Sequence, residues 1–231
     1  MDYTVLRPTA TRDDIVRACD QAKSHHFAAV VVFPFWVPVV ARELSRTDVK
    51  AATVIGFPYG ANGRAVKLYE ARGAVTNGAQ ELDVVMNISA LKSGEVSIVE
   101  REITELVDTT RALGMTEDAK RTLIKIIIET YYLTDKEKRT ACQIIRDAGA
   151  DFVKTSTGTA PGGATVEDIT LIRDMVGPDM RVKAAGGIRT PAQAVAMLDA
   201  GANRIGTSSP VEIVEAYTPE DFMQAAQRRR R

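Results

Sequence analysis

Three times in this chain an amphipathic stretch stops on a glycine and passes within two residues into a β-branched run: at Gly78-Ala79-Gln80, Gly149-Ala150-Asp151 and Gly201-Ala202-Asn203. A glycine at such a point supplies the left-handed backbone that closes a helix C-terminus. A join used repeatedly from helix into strand implies a repeated βα unit, because parallel neighbours in a sheet need a crossover that is usually helical. The candidate strands are residues 3–6, 28–33, 49–56, 81–87, 123–129, 151–155, 181–184 and 203–206. Between them, Thr11-Arg12-Asp13-Asp14 and Thr134-Asp135-Lys136-Glu137 carry the side chains that cap helix N-termini. Eight units with nearly continuous apolar strands favour a closed single-domain (β/α)8 TIM barrel of the α/β class over a doubly wound sheet. No Pro/Ser/Gly-rich linker divides the chain, so the barrel is expected over residues 1–227, with 228–231 as a solvated basic tail.

Composition narrows the partners. Thirty basic and thirty acidic residues cancel within 231, which leaves no global field favouring nucleic acid or an anionic membrane. The most apolar stretch, 28–41, is broken by Pro34 and Pro38 and is too short to span a bilayer. Cys19 and Cys142 show no metal or redox spacing and read as free thiols in a reducing, cytoplasmic setting. No metal site is legible, and His25 and His26 read as residues at a helix end. Phe35 and Trp36 are expected to pack a helix against the barrel.

In a (β/α)8 barrel chemistry gathers at the C-terminal ends of the strands. Polar residues there are Asp83, Asn87, Glu129, Lys154 and Lys183. Lys154 follows Phe152-Val153 at the end of an apolar run, and Lys183 has the similar setting Arg-Val-Lys-Ala. Two inward lysines on neighbouring strands would each oppose protonation of the other, and burial acts in the same direction. One amine then becomes a neutral nucleophile near neutral pH. Pairing of both lysines with Asp83 or Glu129 as plain counter-ions is the competing structural reading.

Three loops offer an anion site beside the amines. Thr155-Ser156-Thr157-Gly158 follows Lys154, Ala185-Gly186-Gly187 follows Lys183, and Gly206-Thr207-Ser208-Ser209 opens a short terminal helix. Loops after the last two strands, with a helix N-terminus, are where such barrels commonly bind phosphate.

These segments, with Asp2-Tyr3-Thr4-Val5-Leu6-Arg7-Pro8, Thr53-Val54-Ile55-Gly56-Phe57-Pro58-Tyr59-Gly60, Glu81-Leu82-Asp83-Val84-Val85-Met86-Asn87 and Ile128-Glu129-Thr130-Tyr131-Tyr132-Leu133-Thr134, resemble the deoxyribose-phosphate aldolase family of class I, Schiff-base aldolases. The resemblance implies reversible cleavage of 2-deoxy-D-ribose 5-phosphate into D-glyceraldehyde 3-phosphate and acetaldehyde, in deoxynucleoside breakdown. It implies Lys154 as the Schiff-base lysine, and Lys183 and Asp83 as the proton-handling pair. Gly158, Gly186, Gly187, Ser208 and Ser209 would hold phosphate, and Asp2 would lie near the substrate. No metal or organic cofactor is implied; the partners are the phosphosugar and acetaldehyde, with a homodimer or homotetramer as the assembly. The chain departs from the family pattern in a short or absent helical extension before the first motif, in Tyr3 for histidine, Arg7 for lysine and Val31 for a cysteine, and in lacking a C-terminal tyrosine tail.

Two other classes fit part of the pattern. A phosphosugar isomerase or epimerase shares barrel and phosphate loops but leaves the paired lysines without a use. A non-catalytic phosphosugar-binding protein needs only the loops.

Overall fold

The computed structural model describes residues 1–113 and 121–217. Strands and helices alternate as β1 (Asp2–Val5), α1 (Arg12–Ser24), β2 (Ala29–Val32), α2 (Val37–Glu43), β3 (Lys50–Ile55), α3 (Arg64–Thr76), β4 (Glu81–Val85), α4 (Ile88–Lys92), α5 (Val96–Leu113), β5 (Leu123–Ile127), α6 (Asp135–Asp147), β6 (Phe152–Lys154), α7 (Val166–Val176), β7 (Arg181–Ala185), α8 (Pro191–Asp199), β8 (Arg204–Thr207) and α9 (Pro210–Glu215). The eight strands close in order into a parallel barrel, β1 pairing with both β2 and β8. All eight expected strands are present: β2 to β6 are trimmed by one or two residues at an end, β1 and β8 are shifted by one residue, and β7 is longer by one. The tail 228–231 lies outside the described residues. Among the described residues no helix is long and apolar enough to cross a membrane.

The three glycine joins have one geometry. Gly78, Gly149 and Gly201 have φ of 100°, 72° and 111°. In each, the residue after the glycine donates its N–H back across the last turn: Ala79 to Ala74, Ala150 to Ile145, Ala202 to Met197. The next residue already pairs with the neighbouring strand, as Gln80 does with Ala51. At the other end, Thr11 and Thr134 form reciprocal caps with Asp14 and Glu137. Helix ends thus deliver each strand at a set height, which sets the register of the side chains inside the barrel.

Strand alternation sorts side chains between two environments. Val30, Val32, Ala51, Leu82, Val84, Ile124, Ile126, Val153, Val182 and Ile205 join the helices in one large apolar cluster. The alternate positions point into the lumen, which is divided. Ala29, Val31, Ala52 and Val54 of β2 and β3 form a separate apolar patch with Leu6, Phe33 and Phe57. The lumen positions of β4 to β8 and β1 carry Glu81, Asp83, Lys125, Lys154, Lys183, Arg204 and Asp2, which are buried or nearly so. Val31 therefore belongs to the apolar wall.

Several expectations outside the lumen are refined. Trp36 packs against the core as expected, but Phe35 is 78 % exposed and touches Trp36 edge-on. His25 ends α1 and stacks on Phe27, while His26 faces Asp48 at the surface. Cys19 and Cys142 are buried free thiols.

Candidate active site

Register places Lys154 directly beside Lys183 on β6 and β7, and Asp83 beside Lys125 on β4 and β5. The four side chains meet in the lumen. Lys154 Nζ and Lys183 Nζ each donate to Asp83 Oδ2 at 2.7 Å, and Lys125 Nζ donates to Asp83 Oδ1 at 2.8 Å. Lys154 is 2 % exposed, and Lys125, Lys183 and Asp83 are fully buried. Lys183 also pairs with Asp2 at 2.5 Å, Arg204 with Asp2 at 2.6 Å, and Lys125 with Glu81 at 2.6 Å. Lys125, Lys154, Lys183 and Arg204 thus face Asp2, Glu81 and Asp83: four cationic side chains against three carboxylates.

Low dielectric makes that imbalance matter, since a buried charge is tolerated only when paired. Burial pulls the Lys154 amine down, Asp83 raises it, and Lys183 and Lys125 lower it again, leaving it at about 8. Loss of that one proton brings the cluster to three cations against three carboxylates. Burial alone would raise the Asp83 carboxyl, but Lys125, Lys154 and Lys183 outweigh it and hold it well below the ordinary range. The same balance holds Asp2 low, through Lys183, Lys125 and Arg204. Lys154 is the group in the cluster able to be neutral near physiological pH and also open to the cavity. Its nitrogen is therefore equipped to attack a carbonyl carbon.

A cavity of about 520 Å³ opens above Lys154. Gly158, Gly186, Gly187 and Ser208 lie on its wall, with Thr4, Leu6, Phe57, Thr157, Thr159 and two cations, Arg7 and Arg189. The three glycines have φ of 88°, 90° and 77°, where any side chain would be strained. The loops interlock: Ala164 N–H donates to Gly186 O, Thr155 Oγ1 bridges to Ala185 through O and N, and Thr207 Oγ1 donates to Ile188 O. Backbone N–H groups and hydroxyls thus line the cavity together with the Arg189 side chain, while Arg7 is paired with Asp14 at 2.8 Å.

Two sequence expectations place differently. Asp2 is not on the cavity wall; its carboxylate is buried behind Lys183, between that amine and Arg204, because inward alternation on β1 aims it into the lumen. Ser209 is also off the wall, standing at the start of α9 with its N–H on Thr207 Oγ1. Asn87 caps α4 by accepting from Ala90 N–H. Glu129 lies beyond β5 in left-handed backbone, φ 51°, with Oε2 accepting from Thr157 N–H at 3.1 Å and from its hydroxyl. Burial pushes the Glu129 carboxyl up, with its bonds from Thr157 and the charge of Lys154 opposing.

Sequence reading missed Lys125, Glu81 and Arg204. The signal for Lys125 was available: Leu123-Ile124-Lys125-Ile126-Ile127 encloses a cation in an apolar strand as tightly as Phe152-Val153 does Lys154. A fourth buried lysine, Lys67, is structural; it joins α3 to Glu102 of α5 at 2.6 Å and to Val85 O. Among the described residues no cluster of His, Cys, Asp and Glu is arranged to hold a metal ion.

Comparison with known proteins adds an independent finding. A family model described as DeoC/LacD family aldolase matches residues 1–210. The chain is 55 % identical over 217 residues to a deoxyribose-phosphate aldolase of Thermococcus gammatolerans, covering 93 % of each chain. It is 48 % identical over 222 residues to one of Enterococcus faecalis, covering 96 % of this chain and 97 % of the other. A solved deoxyribose phosphate aldolase from Aeropyrum pernix, described as a unique tetrameric structure, superposes with a TM-score of 0.86 at 34 % identity, over 95 % of this chain and 89 % of that one.

Proposed function

The chain belongs to the DeoC/LacD aldolase family, and on that premise we propose that it cleaves 2-deoxy-D-ribose 5-phosphate reversibly to D-glyceraldehyde 3-phosphate and acetaldehyde through a Schiff base on Lys154. The observation that carries this reading is the buried Lys154 amine, drawn down to about 8 beside Lys183 and Asp83 and open to a cavity ringed by glycine- and hydroxyl-bearing loops. Relatives bearing the name of that enzyme across more than nine-tenths of the chain support the choice of substrate.

The neutral Lys154 nitrogen adds to the C1 aldehyde of the open-chain sugar, and loss of water leaves an iminium. As the C3 hydroxyl gives up its proton, the C2–C3 bond breaks and its electron pair moves toward the iminium nitrogen, giving an enamine. Glyceraldehyde 3-phosphate departs; protonation of the enamine carbon and hydrolysis release acetaldehyde and restore the amine. Lys183, beside Lys154, is the proton carrier in this scheme: through water, its ammonium gives a proton to the departing carbinolamine hydroxyl, the resulting amine takes the C3 proton and passes it to the enamine carbon, and the water that hydrolyses the iminium returns the last proton to it. Asp83, held ionised between three ammonium groups, orients both amines and offsets charge as it develops. Asp2 acts through Lys183, as its buried partner. The phosphate is assigned to N–H groups at Gly158, Gly186 and Gly187 and to Ser208, with Arg189 adding positive charge at the mouth; Ser209, off the wall, supports the loop from the start of α9, and Arg7 is paired with Asp14 at 2.8 Å.

The working assembly is taken as a homodimer or homotetramer, supported by the relative described as tetrameric. Buried free thiols at Cys19 and Cys142 support a cytoplasmic setting. The assay is direct: purified protein with deoxyribose 5-phosphate should release acetaldehyde and glyceraldehyde 3-phosphate in equal amounts. Conversion of the sugar phosphate without acetaldehyde would point to an isomerase and overturn the reading.

A further inference from the structure

Lys125 is fully buried in the middle of β5 and does not line the cavity. Its ammonium donates to Asp83 Oδ1 at 2.8 Å, pairs with Glu81 at 2.6 Å and stands 3.9 Å from Asp2. The other oxygen of Asp83 takes Lys154 and Lys183, each at 2.7 Å. The terminal torsion of an aspartate is broad and nearly two-fold, so a carboxylate held on one side only could turn and share its oxygens differently between the two amines. An ammonium anchored by Glu81 on the far oxygen removes that freedom.

We propose that Lys125 is a positioning residue of the reaction: by occupying Asp83 Oδ1 it aims Oδ2 at both Lys154 and Lys183. Its positive charge, on the carboxylate that Lys154 shares, also opposes protonation of Lys154. This inference rests on the Schiff-base reading and adds a residue to it. The groups facing Lys125 are Asp2 from β1, Glu81 and Asp83 from β4, and Lys154 and the Phe152 ring from β6; on the far side of those carboxylates, Lys183 pairs with Asp2 and Asp83, Arg204 with Asp2 and Glu81, and the Met1 amino group is near Asp2 and Glu81. Burial alone would discharge Lys125, but Asp83, Glu81 and Asp2 outweigh it and raise the amine above its ordinary range. Lys125 therefore keeps its proton under all conditions in which Lys154 changes state. A fixed charge next to a titrating one shifts the latter in a single direction.

A lysine that merely plugs the barrel would, when replaced, cost folded protein or overall rate without moving the titration of Lys154. The experiment is the rate of borohydride-trapped adduct formation on Lys154 with acetaldehyde, followed across about pH 6 to 10, for the wild-type protein, Lys125→Met and Lys125→Arg. With Lys125→Met the acid limb should move to higher pH by about one unit, a tenfold loss of adduct rate on the acid side. In deoxyribose 5-phosphate cleavage kcat should fall more than KM rises. Lys125→Arg, which keeps the charge, should leave the limb in place. A Lys125→Met limb at the wild-type position overturns the proposal whatever the loss of rate. Should Lys125→Met not fold, Lys125→Met/Glu81→Gln leaves no acid unpaired by the change, and its limb should move in the same direction. Should that also not fold, Lys125→Arg decides, a displaced limb counting against the proposal. Absence of any adduct on Lys154 in the wild-type protein is a different result, which defeats the Schiff-base reading before any variant is compared.

Discussion

Lys154 and Lys183 are register partners on adjacent strands, and both ammonium groups reach the same oxygen, Asp83 Oδ2, at 2.7 Å. Two lysines so placed are chemically unequal because their surroundings differ. Lys183 has a second carboxylate, Asp2, at 2.5 Å. Lys154 has Asp83 alone and opens on the cavity. The amine with a single anion and a route to substrate is the one drawn down, to about 8.

The depressed Lys154 amine also has a consequence for stability. Its folded pKa of about 8 lies below the ordinary 10.5, so between those values the unfolded chain binds the extra proton and stability rises with pH. Below pH 8 the buried ammonium costs the fold its full amount, at most on the order of 3 kcal/mol. Lys154→Met should therefore abolish cleavage, by at least about 10³-fold, while raising the melting temperature at neutral pH. That gain should shrink between pH 8 and 10 in calorimetric scans.

Asp83→Asn removes the anion shared by three buried ammonium groups. Lys154 is then left with no anion, while Lys183 keeps Asp2 and Lys125 keeps Glu81; the uncompensated buried charge should destabilise the fold by about 3–5 kcal/mol in denaturant titrations. Asp83 raises the Lys154 amine, so in the folded variant adduct formation with acetaldehyde should extend to lower pH. Cleavage of the sugar phosphate should still be lost, because both amines are left unaligned.

Gly206 leaves room for Lys183. A Cβ there would lie 2.9 Å from Lys183 Cε and 3.6 Å from its Nζ. Gly206→Ala should push the ammonium off Asp83 and lower kcat by about 10²-fold, the scale of a misplaced proton-transfer group. KM for the phosphorylated substrate should change little.

Gly186→Ala tests the anion loops in the opposite sense. The added Cβ would meet Gly163 Cα at 3.0 Å and Ser156 Cβ at 3.3 Å, at a φ of 90°. The two loops should separate, raising KM for deoxyribose 5-phosphate about tenfold or more, while adduct formation with unphosphorylated acetaldehyde stays near wild type.

Much of this was legible in the chain because two regularities are local. The Gly-Ala joins and strand alternation reveal the barrel, and similar Val-Lys contexts reveal that Lys154 and Lys183 share a height. Lys125 escaped although it stands at the height of Asp83, its register partner, because Glu129 reads as the polar residue closing that strand. Asp2 was expected at the substrate and lies behind Lys183. Which side of a four-residue strand faces inward depends on its pairing with β2 and β8, which the motif does not encode. Glu129 bonding to the loop after Lys154 is a contact between consecutive strands' ends that has no sequence period at all.

The central claim is that Lys154 carries the covalent intermediate, and reductive trapping measures it. Protein incubated with acetaldehyde and borohydride, then digested and mapped by mass, should carry one ethyl group on the Lys154 amine, with Lys183 and Lys125 unmodified and activity lost in proportion. No adduct, or an ethyl group on Lys183 instead, would contradict the account.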